Sequence, residues 1–437
     1  MRSTEPFLQR PTSTRVRVTL AINFQGRLPL GLPTPPSPSR PFPLAAFGTS
    51  QSCVMAATRR SPPWADLQPE LLGLVLRRLP SLADRVRLRA VCCPWRRGAR
   101  LEPMPPPQPW VTLLDGTFLS IPGGEIHRMP VPEDARVCHG SVGNWLFLEH
   151  VGGGCSLMNP FSKDVVQLPT SNTIIWYPDR LDALPRRPIF FKLVLLSSLD
   201  PSPNSMFAVL SIDTRDDCII SICRPPTATA FRVPDLDYIN DLAFFDGKLY
   251  AVSLHNKLFV LEIDRSYEGK PRIPPMKCII DSIDDSGTIF EGYMCTKLHY
   301  LVESSGRLLH IRRQIGFPLD NNSKTNLGHT LAFEVFEADL TADSCGQWRR
   351  LSTLGDQALF VGTHSKFLLA SESGVREDCI YFIRDYARRN SFVDPFYDCG
   401  MFNMKNGMIT PLLPETALVR PQDNKGRPAW FFPAEAM

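Results

Sequence analysis

The sequence predicts an α+β multidomain protein, with a small all-helical module at residues 59–102 and a much larger all-β domain at residues 110–433. Two observations predict this class. In the first segment leucines recur at helical spacing between prolines, and in the second short apolar runs alternate with Gly, Asp, Asn and Pro. A proline-rich linker at residues 103–109 separates the two segments. It favours an extended, stiff conformation and is either a functional spacer or an ordinary boundary.

The helical module is predicted to contain three short helices. Pro69 suits the first helical position, where a missing N–H costs nothing, and the first helix ends before Pro80. Ser81 and Asp84 have the spacing of a capping box for a second helix, and Pro94 stops or restarts the chain. About forty residues bury little apolar surface on their own, so the many apolar side chains of this segment imply a partner.

Residues of this segment also occur in the order and spacing of a known docking module. They are Trp64, Leu67, Pro69, Glu70, Leu71, Leu72, Leu79, Asp84, Arg87, Arg89, Val91, Cys92, Trp95 and Arg96. The segment resembles an F-box of the plant type, although Gln68 stands where many members have proline. The resemblance implies docking to a Skp1-type adaptor and, through it, to a cullin-based ubiquitin ligase. The residues expected to bind the adaptor are Leu67, Pro69, Leu71, Leu72, Val75, Leu79, Val91, Cys92 and Trp95.

Two other interpretations fit parts of the same segment. The leucines alone would fit an ordinary amphipathic core helix. The clustered arginines would fit a nucleic-acid patch, but no aromatic residues interleave with them, and Asp66, Glu70 and Asp84 supply counter-charges. A net charge of +4 is small for 437 residues, so neither a nucleic acid nor a membrane is expected as a partner.

The first 58 residues are predicted to be a disordered extension. They are rich in Pro, Ser, Thr and Arg, and Glu5 is their one acidic residue, so they cannot form a core. This composition also matches an organellar transit peptide. The favoured alternative is that residues 1–54 are upstream sequence joined in frame, since Met55-Ala56-Ala57 stands where an initiator would be expected.

The β region repeats a hairpin-like unit with a period of roughly fifty residues. Copies are predicted at 143–148 with 155–160, 191–196 with 206–212, 246–252 with 256–262, 296–302 with 306–311, and 357–361 with 379–382. Such a period with several short strands per repeat is typical of propeller blades, and the closest alternative is a pair of β-sandwiches. The blade number cannot be read from the sequence.

Three short motifs of this region are shared with a known domain. They are the DGKLY-type hairpin at 246–250, the Asn159-Pro160-Phe161 turn and the terminal Trp430-Phe431-Phe432-Pro433 run. The region looks like the C-terminal domain of a large plant F-box family, long labelled a domain of unknown function and thought to be a kelch-like propeller. The two resemblances together imply a substrate-receptor subunit whose propeller binds an unknown target protein.

The ends of the β region are predicted to meet. The Trp430-Phe431-Phe432 run is too apolar to remain in water, and the strand that begins at Trp110 has no obvious hairpin partner along the sequence. A propeller also avoids an open edge when its first and last strands share a blade. We therefore expect the C-terminal run to pack on the blade of Trp110.

No catalytic residue, cofactor or metal site is predicted. The sequence has no Walker loop, GxSxG elbow or HExxH motif, and its eight histidines are dispersed. The twelve cysteines include no CxxC pair, so reduced and mostly buried thiols in the cytoplasm or nucleus are expected. An alternative function is a propeller hydrolase or lyase with a helical dimerisation arm, which would gather His, Asp or a metal at the central channel.

Overall fold

The computed structural model describes residues 64, 67–79, 82–101, 107–113, 116–121, 124–151, 154–168, 188–196, 205–213, 218–224, 227–232, 238–263, 275–281, 290–319, 327–340, 346–386, 396–413 and 428–433. The predicted extension at 1–58 lies outside these residues, and the predicted domain boundaries stay predictions. Four helices are present in the described chain: α1 (Pro69–Arg77), α2 (Leu82–Val91), α3 (Cys93–Leu101) and the short α4 (Ala370–Ser373).

The described strands form a six-bladed β-propeller, so the alternative of two β-sandwiches is wrong. Each blade is given from the propeller axis outward. Blade 1 contains β25 (Ala429–Phe431), β1 (Trp110–Thr112), β2 (Thr117–Ser120) and β3 (Ile126–Arg128). Blade 2 contains β4 (Ala135–Val142), β5 (Trp145–His150), β6 (Cys155–Met158) and β7 (Val165–Gln167). Blade 3 contains β8 (Pro188–Leu195), β9 (Phe207–Asp213), β10 (Cys218–Arg224) and β11 (Thr227–Arg232).

The remaining three blades complete the ring. Blade 4 contains β12 (Ile239–Phe245), β13 (Lys248–Ser253), β14 (Leu258–Leu261) and β15 (Lys277–Ile280). Blade 5 contains β16 (Tyr293–Ser304), β17 (Arg307–Pro318), β18 (His329–Asp339) and β19 (Gln347–Leu351). Blade 6 contains β21 (Lys366–Leu369), β20 (Gln357–Val361), β22 (Cys379–Phe382), β23 (Gly400–Asn403) and β24 (Ile409–Pro411).

Four of the five predicted hairpin copies are confirmed as antiparallel pairs: β5 with β6, β8 with β9, β13 with β14, and β16 with β17. The turns follow the expected chemistry, since Asp246 and Gly247 have φ values of 43° and 77° and form a two-residue loop between β12 and β13. The prediction of a fifth hairpin at 357–361 with 379–382 is wrong, because these segments form β20 and β22, which are parallel. The chain inserts β21 and α4 between them, so it returns to begin β22 at the same end as β20.

The C-terminal strand closes the ring, as predicted. β25 pairs with β1 in the register Trp110↔Phe431 and Val111↔Trp430, and Trp430 is fully buried. One part of the prediction is wrong, since β1 also has a sequential hairpin partner in β2. The turn between them depends on Gly116, whose φ is 78° and whose N–H donates to the carbonyl of Leu113.

Apolar side chains fill the space between neighbouring blades. Each of the six interfaces has its own buried cluster, represented by Phe118 and Leu146 between blades 1 and 2, and by Leu309 and Phe382 between blades 5 and 6. Leu82 of α2 is buried in the cluster between blades 1 and 2. The helical segment therefore packs directly against the propeller in addition to being joined to it by the chain.

Candidate functional site

The helical segment has a small interior of its own. Leu72, Leu76 and Ala99 are buried together, and Gly98 lets α3 approach α1 closely, since a Cβ at Gly98 would lie 3.1 Å from Leu72 Cδ2. Trp95 packs on this interior, and its indole N–H donates to the carbonyl of Trp64 at 2.7 Å. These contacts hold the three helices together without using the outer face of α1.

The outer face of α1 is apolar and exposed. Leu71, Leu74 and Val75 are 48%, 49% and 44% exposed, and they occupy the same side of the helix because they are three and four residues apart. Val86, Val91 and Leu101 are also exposed elsewhere on the helical segment. A helix with apolar residues on two different sides can bury only one side within its own segment, so the other is available for a partner.

The structure divides the nine residues expected to bind the adaptor into three groups. Four of them are exposed: Pro69, Leu71, Val75 and Val91. Four are half-buried: Leu67, Leu79, Cys92 and Trp95. Leu72 is buried, because it lies a quarter of a turn beyond Leu71 and faces Ala99 instead of solvent. The sequence reasoning overlooked Leu74, Val86 and Leu101, although Leu74 completes the spacing with Leu71 that marks a helix face.

Several arginines of this segment are engaged within it. Arg85 is buried, and its Nε donates to the carbonyl of Leu79 at 2.7 Å, which ties α2 to the end of α1. Arg87 forms an ion pair with Asp84 at 2.7 Å on the surface of α2. These contacts give at least two of the arginines a structural role.

Charged side chains near the propeller axis hold neighbouring blades together. Lys192 of β8 forms an ion pair with Asp241 of β12, and both side chains are buried. The Asp241 carboxylate also accepts the backbone N–H groups of Leu242 and of Leu301 in β16, each at 2.8 Å. One buried carboxylate thus joins blades 3, 4 and 5.

His364 reaches across the axis from the loop after β20. Its Nε2 donates to the carbonyl of Leu193 in blade 3 at 2.8 Å, and its ring occupies the space beside Gly140 in blade 2. Gly140 has a φ of 131°, and a Cβ there would lie 2.1 Å from His364 Nδ1. Burial, together with the nearby Lys192 charge, lowers the pKa of His364 from 6.5 to about 3.

A second buried histidine lies between blades 4 and 5. His310 Nε2 is 3.0 Å from His299 Nδ1, and the two rings are stacked. Burial lowers the pKa of His310 well below 6.5, with smaller contributions from His299 and Arg312. His310 and His364 are therefore neutral in the folded protein at neutral pH.

The protein is expected to lose stability below pH 6.5 because of these two histidines. Since their pKa values are lowered in the folded state, the unfolded chain binds more protons as the pH falls from 6.5, and stability is retained only above that pH. Below pH 6.5, each histidine should lower the free energy of unfolding by about 1.4 kcal/mol per pH unit. Urea unfolding between pH 7.5 and 5 would measure this loss. His364→Asn should flatten this dependence, whereas the same change at exposed His255 should leave it unaltered. Equal slopes for the two variants would contradict the assignment.

Arg313 is the most completely buried charge between blades 5 and 6. Its guanidinium contacts Asp385 at 3.2 Å and Asp398 at 2.9 Å, donates to the carbonyl of Ile383 at 2.7 Å, and stacks 4.7 Å from the Phe382 ring. Burial alone would lower the pKa of Arg313, but its anionic neighbours outweigh burial and raise it. The cluster fixes the long strands of blade 5 to blade 6.

The cysteines and histidines do not assemble into a metal centre in the described part of the chain. There, no group of three His, Cys, Asp or Glu side chains is placed to hold a metal ion. Five of the described cysteines are buried, and burial raises the pKa of Cys138 to about 11 and that of Cys155 to about 12, so both remain protonated thiols. No described helix combines the length and apolarity required to cross a membrane.

Comparison with known proteins assigns the propeller to a family. The family model of the KIB1-4 β-propeller matches residues 118–403, which cover blades 2 to 5 completely, blade 6 except its strand β24, and the two outer strands of blade 1 apart from the first residue of β2. The chain belongs to the KIB1-4 β-propeller family. The resemblance inferred from the hairpins and terminal motifs, to plant F-box proteins with a propeller domain, is confirmed.

Relatives of this family member in Arabidopsis thaliana carry F-box names. An F-box/kelch-repeat protein is 24% identical over 352 residues, covering 78% of this chain and 89% of the relative. A probable F-box protein is 21% identical over 348 residues, covering 73% and 83%. Among solved structures, the N-terminal domain of Nup159 aligns with 68% of this chain and 74% of its own, at 11% identity and a TM-score of 0.26.

Proposed function

We propose that this protein is the substrate-receptor subunit of a Skp1–cullin–F-box ubiquitin ligase. In this proposal the helical segment is an F-box that binds a Skp1-type adaptor and, through it, the cullin. The propeller binds the protein to be ubiquitinated, and the chain itself needs neither a catalytic residue nor a cofactor. The F-box names of its relatives support the proposal. The assembled ligase would act in the cytoplasm or the nucleus.

The observation that carries the proposal is the exposed face of α1. Leu71, Leu74 and Val75 are about half exposed, while another side of the same nine-residue helix already fills the interior with Leu72 and Leu76. Burying a leucine or valine side chain contributes about 1.5–3 kcal/mol, so three such residues supply enough apolar surface for a stable docking contact. Val91 and the half-buried Trp95 add to the surface that an adaptor could cover.

Adaptor binding is expected to be lost when this face is made acidic. Leu71→Asp combined with Val75→Asp should weaken binding to a purified Skp1-type adaptor at least about a hundredfold, because two apolar contacts are lost and two carboxylates would have to be desolvated. Isothermal titration calorimetry on the full chain would measure the affinity. Both side chains are exposed, so the thermal unfolding of the variant should stay close to that of the wild type.

A matched control makes the test specific to α1. Val151→Asp with Val165→Asp changes two exposed propeller residues, 74% and 45% exposed, by the same chemistry and should leave adaptor binding intact. Leu72→Asp is unsuitable, because it would disrupt the interior of the helical segment. Failure of the wild-type chain to bind the adaptor, or equal binding by both double variants, would refute the proposal.

A further inference from the structure

The outermost strand of blade 5 ends beside an exposed serine. β19 lies at the outer edge of its sheet, because among the described strands it pairs with β18 alone. It ends at Leu351, and Ser352 follows in a bend. Ser352 and Thr353 are both exposed, whereas the next residue, Leu354, is buried in the cluster between blades 5 and 6. Ser352 therefore stands at the rim of the propeller, open to solvent.

Two arginines precede this serine. Arg349 and Arg350 are the third and second residues before Ser352, and their side chains are 65% and 68% exposed. Both belong to β19, so the backbone that carries them is extended. An arginine pair followed after one residue by serine is a charge pattern by which a class of protein kinases selects its substrates. The chain has one other such sequence, at 388–391, which lies outside the described residues.

Both arginines are engaged in ion pairs that can be released at small cost. The N···O pairs are Arg349–Glu337 at 2.6 Å, Arg307–Glu337 at 3.8 Å, Arg350–Glu334 at 3.2 Å and Arg312–Glu334 at 2.6 Å. Each glutamate thus has a second arginine partner, and pairs made by exposed side chains contribute little to stability. A kinase can therefore bind Arg349 and Arg350 while each carboxylate keeps its other partner.

The same six side chains carry an excess of positive charge. Four arginines and two glutamates leave two positive charges uncompensated within this group. A phosphate monoester carries about −1.5 to −2 charge at pH 7. A phosphate on Ser352 would balance this excess, and it would stand two residues from Arg350, whose guanidinium is a favourable partner for phosphate oxygens.

We propose that Ser352 is a phosphorylation site for a protein kinase that selects serine by the two arginines before it. The serine Oγ bonds to the γ-phosphorus of ATP, the bond from that phosphorus to the oxygen of the leaving ADP breaks, and a base of the kinase takes the hydroxyl proton. The modification converts a positively charged rim of blade 5 into one whose charges balance. The site goes beyond the proposed function, which assigns no role to this rim.

The test uses the folded full-length protein with ATP, Mg²⁺ and the catalytic subunit of cyclic-AMP-dependent protein kinase, which selects this arginine pattern. Proteolysis and mass spectrometry should locate a phosphate on Ser352. Arg349→Ala combined with Arg350→Ala should lower the initial rate of phosphorylation at Ser352 at least tenfold, because the kinase loses both charges that it reads. If this variant folded poorly, Ser352 would become more accessible, so misfolding does not account for a lower rate.

Two controls separate these arginines from general effects of charge. Arg96→Ala combined with Arg97→Ala removes another exposed arginine pair, in α3, and should leave the rate at Ser352 within twofold of wild type. Thr353→Ala should also stay within twofold, because Thr353 has Leu351 at the position where Ser352 has its second arginine.

A synthetic peptide of residues 345–356 distinguishes the sequence from the fold. If the folded protein is not phosphorylated at Ser352, the inference is overturned. Phosphorylation of the peptide alone would then show that the fold hides the serine, and it would leave the arginines as charges that protect an edge strand. Equal rates for wild type and the Arg349→Ala, Arg350→Ala variant, or phosphate found only within 388–391, would overturn it as well.

A last measurement asks whether cells use the site. Protein purified from eukaryotic cells in the presence of phosphatase inhibitors should carry phosphate on Ser352, and its absence from that protein would overturn the inference. Adaptor binding plays no part in any of these outcomes, so the proposed function is tested separately.

Discussion

Replacing Trp430 with alanine is expected to lower the free energy of unfolding by about 3–5 kcal/mol, the range for large buried aromatic residues. Its ring lies edge-on to Phe360 with centroids 5.1 Å apart, and its indole N–H donates to the carbonyl of Val361 at 2.8 Å, so the substitution leaves both a cavity and an unpaired carbonyl. Urea unfolding of the full-length protein measures the loss. Because a domain has only about 5–15 kcal/mol of net stability, the variant should be close to unfolding at physiological temperature.

Deleting residues 429–437 should have a still larger effect, because it removes the whole of β25. β1 would lose one of its two paired neighbours, and the clusters on both sides of blade 1 would be opened, since Trp430 belongs to one and Phe431 to the other. Trp64→Ala is the matched control, because Trp64 is 72% exposed and its truncation should cost little. If Trp430→Ala melts within two degrees of the wild type, the closure of the ring does not depend on this strand.

The propeller could be predicted because its signal is local and repeated. A hairpin such as β13 with β14 has strands of alternating or continuous apolar residues joined by short polar turns, and blades 2 to 5 repeat this arrangement about every fifty residues. Blade 6 was not predicted correctly because its inner strand, β21, follows β20 in sequence, whereas blades 2 to 5 have the inner strand first. The apolar segments that form β20 and β22 resemble the two strands of a hairpin in sequence. Only the tertiary structure shows that they are parallel.

The candidate docking surface was predictable in type but not in detail. Leucine spacing marked α1 as a helix with a broad apolar face, yet it could not show that Leu72 faces the interior while Leu74 faces solvent. That division depends on the position of α3, where Gly98 permits close approach. The contact of Asp241 with the Leu301 N–H was missed for a related reason, because the two residues are sixty positions apart and lie in different blades.

The buried charges gave no sequence signal at all. Arg313 lies in a strand where alternation would place charged residues in solvent, and its partners Asp385 and Asp398 come more than seventy residues later in a different blade. Charges of this kind are buried only when paired, so each one implies a partner that cannot be located before the fold is known.

Arg313→Met is therefore the second substitution expected to have a large effect, with a loss of about 3–5 kcal/mol in the free energy of unfolding. Methionine fills much of the space, but the carboxylates of Asp385 and Asp398 and the hydroxyl of Tyr300 lose their cationic partner in a buried site. The cost comes from leaving these groups uncompensated, which is larger than the net contribution of the intact pairs. Urea unfolding at pH 7.5 would measure it.

The distinction between an unpaired charge and a lost packing contact can be tested with a double-mutant cycle. Adding Asp385→Asn to Arg313→Met should recover about 1–3 kcal/mol, because the second change removes one of the charges that the first left unpaired. Arg87→Met is the control for an exposed pair, since Arg87 and Asp84 are 70% and 42% exposed and their separation should cost no more than about 1 kcal/mol. Strictly additive losses from Arg313→Met and Asp385→Asn would show that packing, and not charge compensation, fixes blade 5 to blade 6.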